Sequence, residues 1–474
     1  MLDARLEDPL QELPESLFRF YALSLPRGHG FGAWPPVAAW TSADGQACAA
    51  LTHHDDDELF GVVAMRRRVD DVWTVVEEQH GLGDRGDAMA RIRHLLRDGV
   101  AHEPLPAGVR RRAALHDLQQ RTASDVFKLL ATPSHHPAAW VLNQLYLALP
   151  NPDRNWVSDC QTGNFHTRMW EAQLLGCFRE QGLLVTQPYE SPDFRIENRR
   201  GGHAWVEAVT ANPTIAYNHV NARRSAPPEA PEDVFFGPAA VRFAKTFGSK
   251  LQRGYDRLPH VSGQPFMIAI ADFQAPGSML WSREALIGYL YGQGAEVAET
   301  GGRRHTRSFR TPTLGGASAF PAGLFANKEH AELSAVIFSN ACSIAKLNRV
   351  AITALGAPAG LRYMRIGKFF DRTPGALDGI PFCLDIMSDD YRGLWPGGSE
   401  PWSAELEVFH NPYARHRVPF DLLPEATHWF DQDGDLACRS FYEHAILWSQ
   451  TRILDSDAKV PTLQDFTAKD EVEP

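Results

Sequence analysis

The stretch AWVEAVT puts a carboxylate, Glu207, between Trp205 and Val209. Read as a strand, its two-residue period places Trp205, Glu207 and Val209 on one face and Val206, Ala208 and Thr210 on the other. An ionised carboxylate on an apolar face is costly unless it is hydrated, paired, protonated or bound to metal. Asp193, in the preceding PDF segment, is a candidate partner. With NRRGG (198–202) as the connection, a hairpin brings both carboxylates to one side, within range of one hard divalent cation. An oxygen-rich pair suits Mg²⁺, with Mn²⁺ as a substitute, and suits phosphate chemistry. Upstream, Glu171 shares a helical face with Leu175 and Phe178 and can point inward to assist metal or water binding. Downstream, AVRFAKTFGSKLQRGYDRL carries Arg242, Lys245, Lys250, Arg253 and Arg257 against a single acid, Asp256. A lysine from this basic helix can stabilise charge developing on a phosphate or orient attacking water.

The ordered set Glu171, Pro192–Asp193 and Glu207 in the EAV segment resembles the PD-(D/E)XK, or restriction-endonuclease-like, nuclease superfamily, over about residues 160 to 275. The resemblance implies a restriction-endonuclease-like mixed sheet core flanked by helices and leaves the flanks unassigned; the patterning of those flanks adds an N-terminal α+β region and a C-terminal β-rich extension, for an α/β fold class as a whole. It implies metal-dependent phosphodiester hydrolysis of nucleic acid, DNA before RNA, with metal on Asp193 and Glu207. The family's usual lysine, one residue beyond the second acid, is here Val209; branches that bring it from the following helix match Lys250, preferred on that ground to Lys245. The expected catalytic set is Glu171, Asp193, Glu207 and Lys250. Substrate contacts are expected from Lys245 and Arg253, and from Arg303, Arg304 and Arg307 in the basic run GGRRHTRSFR. Because Val209 supplies neither charge nor proton, a catalytically degenerate nuclease-like scaffold that binds nucleic acid or protein is the competing expectation.

The elements that must position these residues are legible in outline. Residues 34 to 79 alternate as a small antiparallel sheet, and 86 to 99 and 112 to 130 read as helices, followed by a helix in AAWVLNQLYLAL. A boundary falls at Asn151 to Gly163. A helix from about Phe165, strands at 192–196 and 204–210, a basic helix at 239–258 and the apolar strand FMIAIADF then follow in order. Residues 211 to 238 read as an inserted loop near the site, and a short helix at 281–290 precedes a Gly/Arg/Thr-rich loop through Gly316. The expected organisation is an N-terminal α+β region at 1–150, a nuclease-like α/β core with inserted loops at 151–330, a C-terminal α/β extension packed on the core at 331–455, and a loosely held tail at 456–474. Asp272 either approaches the metal or caps the next loop. His53 and His54 beside Asp55, Asp56 and Asp57 read as a solvated turn, Lys346 and Arg349 as surface charges, and His410 as structural.

Composition restricts the setting. With 474 residues, 44% apolar and 22% charged, 12 tryptophans and 26 phenylalanines, the chain is too rich in core-forming residues for wholesale disorder. Six scattered cysteines without a CxxC pair read as buried thiols. An acidic start without a secretory pattern and no apolar run near 18 residues point to the cytoplasm, without membrane contact. The net charge of −11 opposes broad attraction to nucleic acid, so binding must rely on local basic surfaces. Flanking regions of this size can also hold a protein partner or a second copy of the chain.

Overall fold

The computed structural model describes residues 10–54, 56–97, 99, 101–315 and 320–465. Its fold is mixed α/β, built among the described residues around an eight-stranded sheet, with three smaller sheets beside it: a five-stranded N-terminal sheet, a three-stranded sheet and a two-stranded hairpin. From one edge, the large sheet runs Asp435–Ser440, Thr427–Gln432, Leu406–His410, Ala335–Ser339, Phe266–Asp272, His203–Ala211, Phe194–Glu197 and Leu184–Thr186. The strands His203–Ala211, Phe266–Asp272 and Ala335–Ser339 are parallel, while Leu184–Thr186, Phe194–Glu197 and His203–Ala211 form an antiparallel meander.

Every residue of Phe266–Asp272 is buried because helices cover both faces of the sheet. Helices His136–Ala148, Phe165–Glu180 and Ile344–Leu355 pack on one face, and Pro238–Leu251 and Ser282–Tyr291 on the other. Alternation along His203–Ala211 sends Ala204, Val206 and Ala208 into the first layer and Trp205, Val209 and Ala211 into the second. Glu207 shares the parity of the second set, so it faces helix Pro238–Leu251.

That helix is anchored by Phe243 and Phe247, both fully buried; burying a side chain of this kind contributes about 1.5–3 kcal/mol. Pro238 starts it, where a missing N–H costs nothing. Phe243, Phe247 and Lys250 stand at i, i+4 and i+7, so Lys250 continues the sheet-facing stripe, whereas Lys245 falls off it and is exposed. Just past the helix, Gly254 adopts φ +64°, a left-handed conformation suited to glycine, and the chain turns into the 3₁₀ segment Tyr255–Arg257.

Several expectations need correction. Residues 112 to 130 are mostly irregular, with helix only at Asp125–Leu129, and the helix expected over 86–99 is Arg85–Leu95. The Gly/Arg/Thr-rich segment is a β-hairpin, Gln293–Thr300 with Arg303–Arg310, in place of a loop. The large sheet runs through the boundary expected near 330, since Ala335–Ser339 lies inside it. Lys346 and Arg349 are buried in an ion cluster rather than on the surface. His53 and His54, expected in a turn, close the strand Ala47–His54. The tail from 466 onward, Asp55, and residue 316 at the end of the expected loop lie outside the described residues. Among the described residues, no helix is long and apolar enough to cross a membrane.

Candidate active site

Glu171, Asp193, Glu207 and Lys250 meet at the antiparallel side of the large sheet. Phe194 pairs with Val206 across the meander, so the next step of the register brings Asp193 opposite Glu207. Asp193 lies just before its strand, and its Oδ2 accepts the Ala208 N–H at 2.7 Å. Glu207 is buried, and its Oε1 accepts from both Lys250 Nζ and the Tyr255 hydroxyl, each at 2.7 Å. Its other oxygen, Oε2, is buried without a hydrogen-bond partner. Such an atom is costly to leave unmatched, and in a native protein it marks strain or a place for an ion, water or ligand.

Electrostatics point the same way. Burial, followed by the charges of Glu207 and Glu171, holds the Asp193 carboxyl well above the ordinary carboxylate range. Glu171 is also raised, chiefly by burial, although Arg168 opposes the shift. Arg168 Nη1 donates to Glu171 Oε1 at 2.8 Å, and Trp156 Nε1 donates to Oε2 at 2.9 Å. Glu171 therefore acts on Asp193 through its charge, with both oxygens already engaged. Burial and then the Glu207 charge push the Tyr255 hydroxyl up, so it remains a donor.

Arg253 is exposed beside this centre, with Nη1 donating to the Tyr255 oxygen at 3.3 Å. Tyr189 forms an aromatic rim: it is 52% exposed and stacks on His260, with centroids 3.8 Å apart and planes 13° from parallel. His260 Nε2 in turn lies 2.9 Å from the carbonyl oxygen of Ser191, two residues before Asp193.

Other expected residues lie apart. Lys245 is exposed over the Phe320 ring, 5.9 Å from its centroid. Arg303, Arg304 and Arg307 project from the exposed hairpin, where Arg307 Nε donates to Glu296 Oε1 at 2.8 Å. Phe309 packs that hairpin against Phe235 and Phe236. Asp272 takes the loop-capping role: its Oδ1 accepts the Gln274 N–H at 3.0 Å. In register it sits opposite Ala211, four residues beyond Glu207 and about 13 Å along the strand. Arg168, Trp156 and Tyr255 were not identified from sequence. Arg168 was findable as the i−3 neighbour of Glu171; Tyr255 depends on the turn at Gly254 and carried no periodic signal.

Among the described residues, no group of three or more His, Cys, Asp and Glu side chains is placed to hold a metal ion. Two facing carboxylates, one with an orphan oxygen, still suit a cation that retains much of its water, as Mg²⁺ commonly does on one or two protein carboxylates. The fold and site thus define a mixed α/β protein with a lysine-flanked carboxylate pair. No protein-family model, curated protein or solved structure matches the chain.

Proposed function

We propose that this chain hydrolyses phosphodiester bonds in nucleic acid, DNA before RNA, in a metal-dependent reaction at the Asp193–Glu207 pair. The observation carrying the reading is the convergence of Lys250 Nζ on Glu207 Oε1 while Glu207 Oε2 lies buried and unpartnered beside Asp193. A restriction-endonuclease-like core is part of the same reading, supported by the mixed sheet with helices on both faces and by the lysine arriving from the helix after the Glu207 strand. Asp193 and Glu207 would hold Mg²⁺ or Mn²⁺, which when bound supplies Lewis acidity toward a phosphate oxygen. Lys250 brings its side-chain nitrogen to the carboxylates, where it would counter negative charge growing on a phosphate or orient water. The Tyr255 hydroxyl fixes the Glu207 rotamer, Glu171 tunes Asp193 through its charge, and exposed Arg253 offers a contact to the phosphate backbone.

The competing reading is a scaffold that binds nucleic acid or protein without turnover. It is favoured by Val209, which is only 3% exposed and packs in the core where the resemblance expects lysine. Labelled linear, nicked, single-stranded and branched DNA, and RNA, offered to wild type and to Asp193→Ala, Glu207→Ala and Lys250→Ala with Mg²⁺, Mn²⁺ or chelator, separate the two. Metal-dependent cleavage lost in the folded variants is expected. Undiminished binding with no cleavage under any metal condition would leave the scaffold reading standing.

A further inference from the structure

A second candidate site lies beyond the carboxyl ends of the central parallel strands and is independent of the nuclease reading. The parallel strands Phe266–Asp272 and Ala335–Ser339 end at a cavity of about 390 Å³, lined by Asp272, Phe273 and residues 340–345. The crevice beyond the carboxyl ends of parallel strands is the usual place for ligands in open α/β sheets, and the volume falls in the range of small-molecule pockets. The Thr167 and Thr210 hydroxyls, 2.9 Å apart, bring the first turn of helix Phe165–Glu180 to the same end.

Three features define what would fit. His166 lines the cavity from that first turn, and both of its ring nitrogens are buried without a hydrogen-bond partner. Its ring stacks on Phe273 and faces His219, with centroids 4.1 Å away in each case. A buried imidazole of this kind has one donor and one acceptor to offer. Second, Ser343, Ile344 and Ala345 line the cavity at the start of the twelve-residue helix Ile344–Leu355, where Ser343 Oγ accepts the Lys346 N–H and the Ile344 and Ala345 N–H groups ahead of it have no acceptor within the helix. Third, Arg349 lines it too and belongs to a buried ion cluster in which, among the described residues, the three cations Lys346, Arg349 and Arg365 pair with the two carboxylates Glu400 and Glu405. That cluster has more positive than negative side chains. Met169 and Met279 supply apolar wall between the polar ends.

We propose that this cavity binds a small anion carrying a planar ring, with its phosphate or carboxylate at Ser343–Ala345 near Arg349 and its ring against His166 and Phe273. A nucleoside monophosphate is the phosphate form of this chemistry and an aromatic acid the carboxylate form. Binding needs no metal and does not involve Glu207.

The test is calorimetric titration of the full chain in chelator with adenosine 5′-monophosphate, guanosine 5′-monophosphate, adenosine, inorganic phosphate and benzoate. At least one ring-bearing anion is expected to bind more tightly than both adenosine and inorganic phosphate, and the nucleotide and benzoate arms decide which anion is used. Ser343→Asp retains a helix-capping oxygen but adds a negative charge, so it should weaken that binding at least about tenfold while the protein stays folded. His166→Phe keeps a ring against Phe273 and removes both nitrogens; a loss of about tenfold is expected if it folds. Glu207→Ala should bind as wild type does. The proposal is overturned if no probe binds, if inorganic phosphate or adenosine binds as tightly as the ring-bearing anions, if Ser343→Asp binds unchanged, or if Glu207→Ala abolishes binding.

Discussion

The buried charges around Glu400 and those around Glu207 are satisfied to different degrees. In the cluster between helix Ile344–Leu355, strand Leu361–Phe369 and the segment 400–405, Lys346 Nζ donates to Glu400 Oε1 at 2.9 Å, Glu405 Oε2 at 2.7 Å and the Pro401 carbonyl at 2.7 Å. Arg349 holds Glu400 at 3.0 Å, while Arg365 reaches Glu405 and also the Tyr391 oxygen at 3.0 Å. Burial works to raise the Glu400 carboxyl, but Arg349, Lys346 and Arg365 outweigh it and hold Glu400 far below its ordinary value. At the Asp193–Glu207 pair the balance is reversed: Asp193 is raised, and one Glu207 oxygen has no partner. Ions of the same kinds thus join elements where each carboxylate is surrounded by donors, and leave a carboxylate pair under-matched where carboxylates face each other with too few; the proposed chemistry rests on that pair.

The largest expected effect comes from breaking the satisfied cluster. Glu405→Ala leaves three buried cations with one carboxylate and should cost about 3–5 kcal/mol in urea unfolding. Glu207→Ala, by contrast, removes an under-matched carboxylate together with its bonds from Lys250 and Tyr255, so it should cost less than Glu405→Ala, at most about 1.5–3 kcal/mol, while removing metal-dependent cleavage. If Glu405→Ala costs less than about 1 kcal/mol, the cluster is not the structural joint that its geometry implies. On the reactive side, Lys250→Met should lower the cleavage rate by about 10²–10³, the usual loss when one preorganised donor to a developing charge is removed. A rate within about threefold of wild type in single-turnover cleavage would assign Lys250 to holding Glu207 alone.

Acid sharpens the contrast, because the two carboxylates have opposite linkage. Glu400 is depressed in the folded state, so its stabilisation is present above the ordinary value of 4.5 and is lost as pH falls below it. Asp193 is raised, so the folded state retains a proton that the unfolded chain has released; its ionisation destabilises the fold as pH rises above 3.8. Asp193→Asn should therefore raise unfolding free energy at pH 7 in chelator, with the gain shrinking on acidification and vanishing below pH 3.8. Adding Mg²⁺ should stabilise wild type more than Asp193→Asn, since a cation relieves the same repulsion. A stability difference that does not change with pH would place the Asp193 shift outside this linkage.

The sequence revealed these two regions unequally, for physical reasons. Strand alternation around Glu207 is local, so the face shared with Trp205 and Val209 could be read directly, as could the basic helix that follows. The buried ion cluster joins residues as far apart as Lys346 and Glu405, and Lys346 and Arg349 look like ordinary surface charges until the segment 400–405 folds over them. The hairpin at 293–310 had a usable signal, the Gly301–Gly302 turn between two runs of polar alternation, but its arginines and threonines resemble loop composition. The irregular 112–124 stretch failed in the other direction. Its helix-like composition gives way to backbone held by tertiary bonds, including the Arg112 N–H to Asp70 Oδ2 at 2.8 Å and Gln161 Nε2 to the Leu115 carbonyl at 2.8 Å.

The smallest expected effect isolates the residue that joins the Asp193–Glu207 pair without being a charge. Tyr255 donates to the same Glu207 oxygen that Lys250 holds, and its ring packs on Phe266 with centroids 5.4 Å apart. Tyr255→Phe keeps that packing and removes one hydrogen bond to a carboxylate, so unfolding free energy should fall by about 1.5–3 kcal/mol at most, less where Lys250 compensates. Cleavage should fall by about tenfold, through a looser Glu207 rather than a lost charge. Both substitutions free a Glu207 lone pair that a cation can fill, but only Lys250→Met also removes a charge, so higher Mg²⁺ should restore more of the rate in Tyr255→Phe than in Lys250→Met. Equal restoration in both variants would mean that the two donors do the same work at Glu207, and the distinction between a positioning hydroxyl and a charge-bearing lysine would be lost.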